Sequence, residues 1–193
     1  MEAGITYDQA KALLDENIKD PTIKMHSIES EAILRGLARH FGEDEELWGM
    51  AGLLHDIDFE KTKNNTKEHG SLCIQILKDA GVSDNLINVI ISHVYGWKEA
   101  AYPDRQRSTS FEHCLAAGET ITGLIYAYGL MRPDKKLENV EVKSIKKKFK
   151  DKSFAAKVNR DVIRECEECG LELSEFLQIA LDAMKGIADE IGL

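Results

Sequence analysis

His55 and Asp56 stand side by side at the end of an apolar run, in the stretch AGLLHDIDFEKTKNN at residues 51–65. An imidazole and a carboxylate are costly to bury unless something satisfies them, so the pair must turn to solvent or meet a compensating partner. Other polar residues pose the same question, because residues three, four and seven apart share one face of a helix. On that rule His26 shares a face with Ser30, Ile33 and Leu37, and His55 follows Trp48 and Ala51. His69 precedes Leu72, Cys73 and Ile76, while His93 follows Leu86, Val89 and Ile90. Glu119 shares a face with Leu115, Thr122 and Tyr126. Any one of these reads as a hydrogen-bonded core residue. Together with Asp56 they read as a metal site, since inward imidazoles and carboxylates from successive helices are how helical proteins hold ions. Nitrogen and carboxylate oxygen without thiolate suit a divalent iron, manganese, zinc, cobalt or nickel ion and do not choose among them. Neighbouring residues lie about 100° apart around a helix, so His55 and Asp56 reach one ion only near a helix end. A helix is therefore expected to stop close to Asp56.

The elements that must position these groups are helices. Apolar residues recur at three and four, and no segment alternates like a half-buried strand. The pattern predicts an all-α fold with helices near 7–18, 22–41, 44–56, 67–80, 84–95, 109–130, 141–168 with a break, and 174–190. Gly42, Gly81 and Gly170 supply stop signals. The longest irregular piece is 96–108, a length often given over to function. A chain of 193 residues suits one domain, with the last 60 or so packed on the same core.

Composition narrows the setting. No apolar run is long enough to span a membrane, and the N-terminus lacks the features of a secretion signal, so the expected location is the cytoplasm. Four cysteines are too scattered for a disulfide framework, and Cys166 and Cys169 lack the second pair that a structural zinc site would want. Net charge is −9, yet residues 132–160 carry 11 Lys or Arg against 4 Asp or Glu, a window of +7 in a remainder of −16. An acidic body disfavours stable nucleic-acid binding, whereas a compact basic patch can receive a small phosphorylated ligand. A solvated helix face explains the same lysines. His40 and His113 match no part of the constellation and are assigned to structure. The oligomeric state is not legible.

His26, the His55-Asp56 doublet and a late acidic residue resemble the HD superfamily of metal-dependent phosphohydrolases, over about residues 22–130. The segment CLAAGETITGLIYA resembles that family's A-x-D-x-L-T-G-L-I pattern, with Glu119 where Asp is usual. The resemblance implies an HD-domain helical bundle with additional C-terminal helices and metal ligands at His26, His55, Asp56 and position 119. In members with two ions, histidines matching His69 and His93 in order complete the set. The stretch from Arg132 to Ile163 resembles the tail of a branch of uncharacterised predicted HD hydrolases. The marks of cyclic-di-GMP phosphodiesterases and of guanosine tetraphosphate hydrolases are missing.

The implied reaction is metal-assisted hydrolysis of a small phosphorylated molecule, with a nucleotide monoester, diester or anhydride foremost. One or two ions would activate water, Asp56 being the bridging candidate and the catalytic residue. Lys61, the cluster Lys146, Lys147, Lys148 and Lys152, and Arg160 are candidate phosphate clamps. Tyr95 and Trp97 are candidates to stack on a base, and Asp58 to steady a ligating histidine. Two other readings remain open: a catalytically degenerate HD module that binds metal or nucleotide, and a structural helical protein whose histidines are satisfied by hydrogen bonds.

Overall fold

A computed structural model describing residues 1–193 consists of helices and turns, with no strand. The helices are α1 (Tyr7–Asn17), α2 (Pro21–Phe41), α3 (Glu45–Leu54), α4 (Phe59–Thr62), α5 (Ser71–Asp79), α6 (Asp84–Ile91), α7 (Ser110–Met131), α8 (Val142–Lys150), α9 (Arg160–Ile163), α10 (Leu173–Gly186) and α11 (Ala188–Ile191). None is long and apolar enough to cross a membrane.

Local chemistry sets the main boundaries. Asp20 accepts from the Thr22 amide, and Pro21 opens α2 where a missing N–H costs nothing. Gly42 in the left-handed region closes that helix. Asp44 caps α3 by accepting from the amides of Glu46 and Leu47. Thr109 and Glu112 form a reciprocal capping box at the start of α7.

The long helices α2 and α7 form the frame with the shorter α3, and α10 lays Phe176, Leu177, Ala180, Leu181 and Met184 into the same core. One buried apolar cluster runs from Ala10 to Leu193. Two glycines let backbones close up. A Cβ on Gly52 of α3 would sit 2.6 Å from the Ser30 carbonyl oxygen of α2, and one on Gly118 of α7 would sit 2.7 Å from Leu34 Cδ2. These contacts bring α3 and α7 against α2 near His26.

Several helices end sooner than apolar periodicity predicts. α3 stops at Leu54, one residue before the doublet. The helix expected from 67 starts only at Ser71, because Gly70 adopts φ 91°, so His69 lies at a turn ahead of the helix. α6 gives way at Ser92 to a tight turn of 3₁₀ helix that carries His93. The break expected within 141–168 is a nine-residue strap, 151–159, between α8 and α9. Beyond α9 the chain tightens into 3₁₀ turns at Arg164–Cys169 and ends at Gly170.

Candidate metal centre

The Gly52–Ser30 contact decides the first half of the site. His55 lies three residues beyond Gly52 and His26 four before Ser30, so the close crossing of α2 and α3 leaves their Nε2 atoms 3.1 Å apart. The second half is built from turns. His69, ahead of α5, and His93, at the end of α6, also meet Nε2 to Nε2 at 3.1 Å. Asp56 joins the halves. Its Oδ2 is 3.9 Å from His26 Nε2 and 3.7 Å from His55 Nε2, while Oδ1 is 3.4 Å from His69 Nε2 and 3.3 Å from His93 Nε2.

What holds each ring assigns its proton. His55 Nδ1 faces the Gly52 carbonyl at 2.8 Å and His93 Nδ1 the Ile90 carbonyl at 2.6 Å; a carbonyl only accepts, so each Nδ1 donates. His69 Nδ1 donates to Asp58 Oδ1 at 2.8 Å. The Asp58 carboxylate is fully buried and also accepts from the amides of Gly70 and Cys73 at 2.9 and 3.0 Å. His26 Nδ1 lies 3.0 Å from the Thr122 hydroxyl, which spends its own proton on the Glu119 carbonyl and therefore accepts. With every Nδ1 holding a proton, each ring in its neutral form turns a bare Nε2 lone pair toward its partner ring and toward a carboxylate. That arrangement calls for a cation.

The spacing fits one. Donor atoms about 2.0–2.2 Å from an ion, at angles of 90–109°, lie ~2.8–3.6 Å from each other, the range of the paired nitrogens here. His26, His55 and Asp56 form one set able to hold an ion, and Asp56, His69 and His93 form another. Glu119 stands beside the first set with Oε2 3.7 Å from His26 Nε2, and its Oε1 accepts from the Thr120 hydroxyl at 2.6 Å.

Electrostatics carries the same signature. Burial, followed by the neighbouring Asp56 charge, pushes the Glu119 carboxyl up to about 8 although the Thr120 hydrogen bond pulls the other way. Burial lowers His55 to about 3 and also lowers His26, against the pull of Asp56. Burial acts against the charged form of His69 too, but Asp58 and then Asp56 outweigh it and the net shift is upward. Burial opposes ionisation of Asp56, yet the surrounding imidazoles hold its carboxyl well below the ordinary range.

This His-and-Asp constellation lies within residues 24–122, which match the HD domain family. The chain belongs to the HD domain family. Its sequence is also 26% identical over 176 residues to Ribonuclease Y of Pseudothermotoga lettingae, an alignment covering 86% of this chain. The chain spans about a third (32%) of that relative's length. No solved structure matches the chain.

The HD cluster opens through His26, His93 and Glu119 onto a cavity of about 790 Å³. Tyr95 and Trp97 line it, Trp97 with its ring edge-on to His69 at 5.5 Å between centroids. The other side chains proposed for substrate lie elsewhere or do other work. Lys61 donates to Asn17 Oδ1 at 2.7 Å, and Lys148 lies over the Phe154 ring. Lys146, Lys147 and Lys152 do not reach the cavity lining: α8 buries Ile145 and Phe149 and turns Lys146 and Lys147 away from it, and Lys152 is exposed just beyond the helix. Arg160 donates to the carbonyls of Ala155 and Val158 at 2.6 and 2.7 Å and to that of Phe154, tying the strap together from inside.

Residues that sequence reasoning passed over take those places. Lys98, Arg107, Lys157 and Glu165 all border the cavity. Arg107 grips Glu165 through two bonds of 2.5 and 2.6 Å and donates to the carbonyls of Ser92 and Tyr95. It thereby links the His93 turn to the C-terminal extension. His113 also donates to Glu165, at 2.8 Å, and His40 approaches Glu175. Lys98 and Arg107 belong to the irregular 96–108 stretch, whose length was their one signal. Nothing in the apolar pattern marks Lys157.

Proposed function

We propose that this HD domain is a metal-dependent phosphohydrolase acting on a small phosphorylated molecule, foremost a nucleotide. The observation that carries the reading is the pair of bare Nε2 couples sharing the two oxygens of Asp56 at the floor of a nucleotide-sized cavity. A divalent ion bound there supplies Lewis acidity, lowering the pKa of water and drawing charge from a phosphoryl oxygen.

The chain's own groups do the rest. His26 and His55 would hold one ion and His69 and His93 a second, with Asp56 giving one oxygen to each. Asp58 fixes the His69 ring through Nδ1, which keeps Nε2 free to ligate. Glu119 is the remaining carboxylate within reach of His26, and we assign it to the first ion. Its carboxylate stands within reach of the first set despite the methylene that Glu has beyond Asp, which favours a working site over a degenerate one. Asp56, facing both couples, is the group best placed to orient the attacking water.

The half-exposed Trp97 ring offers a flat face for a base; the Tyr95 hydroxyl already accepts from Arg105. The relative's name denotes a nuclease acting on RNA, which is phosphodiester chemistry of the kind proposed here. Four unpaired cysteines suit a cytoplasmic setting.

The test is a panel of nucleotides and phosphate esters with added manganese or iron, run on wild type and on Asp56→Ala. Turnover by wild type at least ~100-fold above the variant is the expected result, the scale of a lost nucleophile-activating group. Equal release by both across the panel would remove the hydrolase reading.

A further inference from the structure

The strap at 151–159 lies outside the HD match, yet it forms one wall of the cavity beside the metal centre. Its shape is fixed from within. The Arg160 guanidinium binds four of its carbonyls, the Asp151 carboxylate accepts from the Ser153 amide and hydroxyl, and Ala155 is held at φ 44°. Its tip is fixed from outside. Val158 rests on Gly123 of α7, where an added Cβ would lie 3.3 Å from Val158 Cγ2. Gly123 follows Thr122, the residue that orients His26, so the strap tip is registered against the same helix turn as the ligand set.

Lys157 sits at that tip. Three cations border the cavity: Lys98, Arg107 and Lys157. Arg107 is neutralised by Glu165, whereas Lys98 and Lys157 have no carboxylate within 4.0 Å and no hydrogen bond in the protein. One comes from the loop after His93 and the other from the C-terminal extension, so the two ammonium groups reach the cavity from separate segments. Neither ammonium is committed to a protein partner, so both stay available to an anion that enters the cavity beside the metal centre.

We infer that Lys157 and Lys98 form a subsite for a phosphate group of a mononucleotide, and that Arg160 is a positioning residue that presents Lys157 to it. The inference rests on the phosphohydrolase reading for the kind of ligand, but its test does not depend on turnover. Isothermal titration of purified protein, with metal content measured alongside, uses adenosine monophosphate and inorganic phosphate as probes and adenosine as the uncharged control. Wild type is expected to bind the monophosphate more tightly than adenosine. Lys157→Ala and Lys98→Ala should each weaken the monophosphate by about tenfold or more, the scale of a lost charge-assisted hydrogen bond, with metal content and adenosine affinity unchanged.

Equal affinity in wild type and both variants overturns the subsite, as does failure of wild type to bind either phosphate probe. Arg160→Ala should weaken the monophosphate as Lys157→Ala does, and the double variant should be no weaker than either single. Additive losses would overturn the positioning role. Phosphate-dependent binding through Lys157 in a protein that hydrolyses no phosphate ester would leave the subsite standing and remove the hydrolase reading alone.

Discussion

His55 and His93 are held by the same device: each donates Nδ1–H to the backbone carbonyl three residues earlier at the end of its own helix, at Gly52 and Ile90. Carbonyls at a helix end are open to side-chain donors, and a histidine placed there uses one to fix its tautomer. The free Nε2 then points away from the helix and toward the partner ring. Neither interaction needs a tertiary contact, so both halves of the site are half-built by local structure.

His69 has no such carbonyl and depends on Asp58 instead. Asp58 accepts from three N–H groups, those of His69, Gly70 and Cys73, and Asn offers only one acceptor oxygen in its place. Asp58→Asn is expected to weaken metal binding about 10–100-fold and to cost roughly 1–3 kcal/mol of stability. Competition against a chelator of known affinity, together with urea melts, reads both quantities. Unchanged metal affinity would mean that Asp58 caps the start of α5 without tuning His69.

The crossing of α2 and α3 makes the His26–His55 couple sensitive to one methyl group. In Gly52→Ala the new Cβ would meet backbone atoms of Ser30 at 2.6–2.7 Å, so the helices must separate. A loss of about 2–3 kcal/mol is expected, with a fall in bound metal, because a well-packed crossing does not absorb such a clash. Gly186→Ala, at a helical position with open space around it, should be neutral or stabilising by up to about 1 kcal/mol. Melting both variants and measuring their metal content separates a general glycine effect from this contact.

How much of this is legible in the sequence depends on where each residue sits. His26 and Glu119 can be placed because they belong to long helices, and His55 because it directly follows a strongly apolar one, in which periodicity fixes the inward face. His69 is expected in the cluster for a reason that does not hold: it precedes its helix and is turned inward by Asp58 and Gly70. The lysines of α8 illustrate the opposite limit. Periodicity shows that Ile145 and Phe149 face inward, but not which surface the outward side borders. Lys157 reaches the cavity through the fold of the strap, which depends on Arg160 meeting four carbonyls and on Val158 meeting Gly123. Those are tertiary facts with no periodic trace.

Glu29 gives the stability curve a pH dependence separate from the metal centre. It is 4% exposed, its Oε1 lacks a hydrogen-bond partner, and burial pushes its carboxyl from 4.5 to about 7. Between those two values the folded state holds a proton that the unfolded state has released, so this residue's contribution to stability falls as pH rises through the window. Above about 7 the full penalty applies. Glu29→Gln, neutral throughout, should therefore be more stable than wild type at pH 8 by about 3 kcal/mol, and the gain should vanish toward pH 4.5. Urea melts of the two proteins across that range check the sign and the window; a difference that is constant with pH would show that Glu29 ionises normally.

The two Nε2 couples predict how metal is lost. Asp56 gives Oδ2 to the His26–His55 side and Oδ1 to the His69–His93 side, so its removal strips a ligand from both sets. His69→Ala removes a ligand from one set alone, and His55→Ala from the other. If both sets are filled, elemental analysis should find two ions per chain in wild type, one in each histidine variant and none in Asp56→Ala. If one ion is held, a single histidine variant should abolish binding while the other leaves it intact, which identifies the occupied set. Thermal melts in excess chelator give the matching energetic readout, because an ion bound at 100 times its dissociation constant stabilises the folded state by about 2.7 kcal/mol and each lost ion removes that contribution. Wild type that carries no transition metal and melts identically with and without chelator would mean that the converging lone pairs are satisfied by protons and water, and the metal-centre assignment would fall with them.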